Sequence, residues 1–112
     1  MLNYNIQDHV KGDTFNELPF QISKNGLPID LNGVEIRMQL RLNPSHPTGY
    51  SLSVQGEQIE ITDAAGGKFS IKEQVIDIPS GNYVYDMEFA FADNVVKTYI
   101  GGHWNILQDI TR

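Results

Sequence analysis

The chain has no cysteine among its 112 residues, so it can form no disulfide and use no thiol chemistry. That absence is compatible with folding in a reducing cytosol. No apolar run approaches the ~20 residues of a membrane-spanning helix, so no membrane contact is expected. The opening residues, MLNYNIQDHVKGD, lack a basic region followed by an apolar one, so no secretory leader is expected either. Positive charge is scarce: eight Lys and Arg stand against fourteen Asp and Glu, a formal charge of −6. Binding a phosphate backbone without sequence preference needs clustered cations, so nucleic acid is not an expected partner. Sustained helical periodicity is missing as well, which argues against amphipathic helices.

The usual chemical signatures are also missing. His9, His46 and His103 lie far apart and form no H-x-H or H-x-x-x-H pattern, so no metal site is expected. There is no G-x-S-x-G elbow, and Ser80-Gly81 belongs to a turn. Asp63 and Asp93 head polar loops whose Asx turns need no cation. Asp86 and Glu88 share the outward parity of one strand, with Cβ atoms roughly 7 Å apart by the strand rise. Glycoside hydrolysis uses carboxylate pairs at such a distance, but charged residues on an exposed strand face, answered by Arg37 or Arg41 across the ladder, are far commoner. No catalytic residue and no cofactor is therefore expected.

What is present is two-residue periodicity. In residues 34–42, Val34, Ile36, Met38, Leu40 and Leu42 alternate with Glu35, Arg37, Gln39 and Arg41, the pattern of a half-buried strand. Residues 78–91, IPSGNYVYDMEFAF, enter through the turn Pro79-Ser80-Gly81. They then put Tyr83, Tyr85, Met87, Phe89 and Phe91 on one face, with Asn82, Asp86, Glu88 and Ala90 opposite. Residues 2–10 read as an opening edge strand that kinks at Gly12, and Pro19 confines its own stretch to an edge or bulge. Asn25-Gly26 is a hairpin signal. Residues 43–49, NPSHPTG, form a loop. Shorter strands follow at Tyr50, Leu52 and Val54, at Ile59 and Ile61, and at Phe69 and Ile71. Residues 95–100 return after Asp93-Asn94, Gly101-Gly102 permits a bulge, and Trp104 and Ile106 close the chain. Eight to ten short strands with turns every eight to twelve residues predict one all-β domain over residues 1–112, a sandwich or a barrel.

Gly81-Asn82-Tyr83-Val84-Tyr85 resembles the entry into the sixth strand of immunoglobulin-like domains, with Tyr83 as the structural corner tyrosine and Tyr85 where antibody domains carry cysteine. Taken whole, the chain resembles the immunoglobulin-like N-terminal domain of the baseplate upper protein family of tailed phages and prophages. The residues that carry the likeness are Lys11-Gly12-Asp13-Thr14, Pro28-Ile29-Asp30-Leu31, Ile36-Arg37-Met38-Gln39-Leu40-Arg41, Ile78 through Asp86, and Asp109-Ile110-Thr111-Arg112. The resemblance implies an immunoglobulin-like antiparallel β-sandwich and a virion component of the tail tip or baseplate. Such a module holds other tail proteins or further copies of itself as a homo-oligomer, and does no chemistry. The expected contact regions are the edges at residues 2–10 and 95–100, with Tyr50, Tyr99 and His103 as a candidate interaction surface. Parity places Tyr99 outward. The other reading is a carbohydrate-binding or adhesion module, with Tyr50, Tyr85, Tyr99 and Trp104 as a stacking platform.

Overall fold

Residues with alternating apolar side chains become strands wherever one face can be buried. The structure, a computed structural model, describes residues 2–47 and 49–110. Thr48 of the proline loop, Met1, and Thr111 and Arg112 of the closing motif lie outside the described residues. Thirteen strands and no helix are found among the described residues: β1 (Leu2–Asn3), β2 (Ile6–Val10), β3 (Thr14–Phe15), β4 (Leu18–Gln21), β5 (Ser23–Lys24), β6 (Leu27–Pro28), β7 (Glu35–Arg41), β8 (Tyr50–Ser53), β9 (Ile59–Asp63), β10 (Lys68–Ile71), β11 (Gln74–Val75), β12 (Gly81–Ala90) and β13 (Val96–Leu107). The largest sheet has the order β1-β13-β12-β7-β8, with β2 also on β13. A second has the order β4-β10-β9, and β11-β3 and β5-β6 are two-stranded. The protein is thus all-β and mainly antiparallel; the exceptions are β1 and β2, which run parallel to β13.

The two larger sheets share one core. From the six-stranded sheet, Ile36, Met38 and Leu40 of β7, Tyr83, Tyr85, Met87 and Phe89 of β12, and Ile100, Trp104 and Ile106 of β13 are buried. From the other come Ile59, Phe69 and Ile71. Phe69 meets Phe89 edge-on, ring centres 5.5 Å apart, and stacks on Phe20 at 5.2 Å. Aromatic pairs of this kind add about 0.5–1.5 kcal/mol to the gain from buried area. The Asn25-Gly26 turn, both residues at positive φ, joins β5 to β6.

Three local expectations need correction. Residues 2–10 are not one strand: Tyr4 and Asn5 interrupt it, and Gly102 opposite leaves room for that interruption, since a Cβ there would stand 2.1 Å from the Tyr4 carbonyl oxygen. Leu42 lies beyond the end of β7 and is 45% exposed, so the alternation stops one residue earlier than the pattern suggests. The bulge in β13 falls at Tyr99, just before the glycines. Met87 faces Ile100 and Glu88 faces Thr98, leaving Tyr99 as the extra residue.

Candidate interaction surfaces

The bulge decides where Tyr99 goes. An extra residue in one strand breaks the alternation, so neighbouring side chains need not take opposite faces. Tyr99 accordingly packs beside Ile100, its ring 5.3 Å from Phe89 and 6.4 Å from Phe91, half-buried at the rim of the core. The outward placement inferred from parity is overturned. Tyr50 is half-buried too, edge-on to Tyr83 at 5.9 Å. Tyr85 and Trp104 are buried, so the four aromatics do not make one exposed stacking platform. His103 is exposed on the outer face of β13, opposite Val84.

Tyr83 starts its strand with its ring inward and its hydroxyl donating to the Pro79 carbonyl at 2.6 Å, which pins the turn to the strand it opens. Tyr85, two residues on, donates its hydroxyl to the Tyr4 carbonyl, reaching past β13 to the break between β1 and β2. The Tyr4 N–H in turn donates to the Gly101 carbonyl at 2.8 Å, and Asn5 Oδ1 accepts from the His103 N–H at 3.0 Å. The irregular Tyr4-Asn5 step is thereby satisfied on both sides. Burial pushes both phenols above their ordinary pKa, with Tyr50 adding to it for Tyr83 and Tyr4 for Tyr85.

On the outer face of the main sheet, Asn3, Gln39, Arg41, Asp86 and His103 line an open depression of about 640 Å³. Glu88 pairs with Arg37, Nη2 to Oε1 at 3.1 Å, an exposed cross-strand ion pair. Arg41 instead donates to the His46 carbonyl at 2.7 Å and to Gln39 Oε1 at 3.2 Å, holding down the proline loop. Desolvation, then the Glu88 charge, raise the pKa of Asp86, and Arg41 opposes them. His9, His46 and His103 do not converge, and no group of three or more metal-ligating side chains occurs among the described residues. His9 Nε2 lies 2.9 Å from the Asp13 carbonyl oxygen, and its ring sits against Phe15.

The sheet edges form a second kind of surface, defined by backbone groups. In an antiparallel ladder, residue pairs that exchange hydrogen bonds alternate with pairs that point their N–H and C=O away from each other. The Phe91 N–H donates to the Val95 carbonyl at 2.8 Å, which makes Phe89 and Lys97 the next bonded pair. Val96 and Thr98 therefore turn their backbone groups away from β12. Since β1 first meets β13 at Ile100, no described strand lies against them.

The same reasoning reaches the other sheet. The Lys72 N–H donates to the Gln58 carbonyl at 3.0 Å, so Glu60 bonds Ser70, while Ile59 and Ile61 present their groups away from β10. That edge does not stand open, however: Ile59 is 1% exposed, and Val54 and Glu57 flank residues 59–61. The remaining edges are blunted too. On β4, Pro19 sits where an outward N–H would be. On β8, Ser53 gives its outward N–H to Gln58 Oε1 at 3.1 Å and takes the Gln58 N–H at 3.0 Å. Beside β2, residues 6–9 and 14–18 line a common depression, so the returning chain flanks that strand. Single-residue parity cannot reveal any of these edges, because they depend on which strands become neighbours.

No protein-family model matches this sequence, and no curated protein aligns with it significantly.

Proposed function

We propose that the chain is a non-enzymatic structural or adaptor module of a phage or prophage tail, at the baseplate or tail tip, built as an immunoglobulin-like antiparallel β-sandwich and acting through protein–protein contacts. The strand order carries the fold reading. A β2-β13-β12-β7-β8 sheet faces a β4-β10-β9 sheet, the order in which such sandwiches arrange their strands, and a tyrosine hydroxyl ties the start of β12 back to Pro79. Support for the adaptor role comes from the unpaired edge of β13 at Val96 and Thr98, since an open edge is a template for another chain's strand. The tail assignment rests on the resemblance of residues 11–14, 28–31, 36–41 and 78–86 to baseplate upper proteins. After synthesis in the bacterial cytoplasm, the protein would reside in the virion.

Immunogold labelling and mass spectrometry of purified particles test this. Label at the distal end of the tail is the expected result, and particles free of the chain would overturn the assignment. Binding on a glycan array, lost on Asp86→Ala, would favour the carbohydrate-binding reading, with the Asp86 depression as the site.

A further inference from the structure

We propose that residues 96–98 of β13 take an extended acidic segment of another protein as an added strand, and that Lys97 selects it. This rests on the adaptor reading for its purpose and deepens it by giving the partner's chemistry. Val96 is 53% exposed, and Lys97 and Thr98 are exposed with it, between the Asp93-Asn94 turn and the start of β1. Val96 and Thr98 hold their N–H and C=O groups outward, away from β12. The stretch is ready to pair.

Lys97 decides what pairs there. It lies opposite Phe89 and so points to the inner face of its sheet, but beyond the covered core, where its side chain is exposed. Because Lys97 spends its backbone bonds on Phe89, a strand added antiparallel on the other side meets it as an unbonded pair, the closer kind, with Cα atoms ~4.5 Å apart. A carboxylate directly opposite stabilises such a ladder, and a second ammonium destabilises it. Lys97 makes no ion pair or side-chain hydrogen bond among the described residues, so its charge is available to the incoming strand.

A second copy is not the occupant. Two β13 edges in the register that uses both outward residues set Lys97 against Lys97, and a charge turned inward at an edge is a device against pairing of that kind. The other edges of the two larger sheets offer no complement. Ile59 of β9 is 1% exposed, Pro19 interrupts β4, Gln58 covers Ser53 of β8, the returning chain flanks β2, and β1 is two residues long. The same lysine thus turns away its own kind and favours an acidic strand, which is how a binding edge gains specificity from a repulsive element. The segment it takes carries a carboxylate at its centre. Apolar residues on either side of that carboxylate suit the exposed Leu2, Val95 and Val96 around the slot.

Nuclear magnetic resonance of the isotope-labelled chain with two end-blocked peptides, Thr-Val-Glu-Val-Thr and Thr-Val-Lys-Val-Thr, tests this. The glutamate peptide is expected to slow amide exchange at Val96 and Thr98 and to bind about fivefold more tightly than the lysine peptide. Lys97→Glu should reverse that order. The side chain is exposed, so the fold is not at stake. Any of four results would overturn the proposal: no protection of those two amides by the glutamate peptide up to about 10 mM, equal binding of both peptides, a preference that survives Lys97→Glu, or protection of the same amides that rises with concentration in the chain alone, which would make a second copy the occupant. Because only the edge is measured, failure here leaves the tail assignment standing. Particles lacking the chain would likewise leave the selectivity of the edge standing.

Discussion

Tyr83 and Tyr85 lie two residues apart on one strand face, yet their hydroxyls fasten different things: one a local turn, the other the break between β1 and β2. Removing either hydroxyl by Tyr83→Phe or Tyr85→Phe keeps the buried ring and is expected to cost about 1 kcal/mol in urea denaturation. Tyr85→Phe should in addition speed amide exchange around Tyr4. Burial raises both phenols, so the stability they contribute is complete below the ordinary phenol range. It is lost as pH rises from about 10 toward their folded values. Alkaline denaturation should therefore be shallower in the double phenylalanine variant. Asp86 also has a raised pKa, chiefly through desolvation, so its folded state favours the protonated form. Its contribution is full in acid and is lost as pH rises through the carboxylate range. Asp86→Asn, which stays neutral, is expected to stabilise the protein slightly at pH 7, by less than about 1 kcal/mol because solvent screens this exposed site. By pH 3 the gain should vanish, and denaturation at the two pH values checks it.

At the scale of elements, the contrast between β7 and β13 shows what a sequence displays and what it conceals. β7 is flanked on both sides by regular antiparallel partners, so its alternation maps directly onto burial. The Asn25-Gly26 turn is equally legible, because only a tight reversal needs two consecutive residues at positive φ. β13 hides its register, since the bulge at Tyr99 depends on how β12 pairs with it and no residue type at that position announces it. The candidate surface suffered for the same reason. Parity alone points Tyr99 outward, whereas the open backbone of Val96 and Thr98 depends on where β1 begins. Gly102 is a further hidden element of the design. Gly102→Ala would drive a methyl group into the Tyr4 backbone, so β1 should detach from β13 while β12 keeps its ladder. Loss of amide protection at Tyr4, with protection retained at Tyr83 to Met87, would show it.

Across the whole molecule, the pairings join residues distant in the chain: residue 2 with residue 100, residue 18 with residue 71, residue 36 with residue 89. Closing such separations before any contact rewards them is slow, so refolding from denaturant is expected on a millisecond-to-second scale, read by stopped-flow Trp104 fluorescence. The parallel seat of β1 and β2 on β13 has a consequence during synthesis. Ribosomes make residues 2–10 well before the strand they dock against, residues 96–107. While the intervening residues are being made, residues 2–10 have no strand to join, and this side of the sheet is sealed only once residues 96–107 have left the exit tunnel.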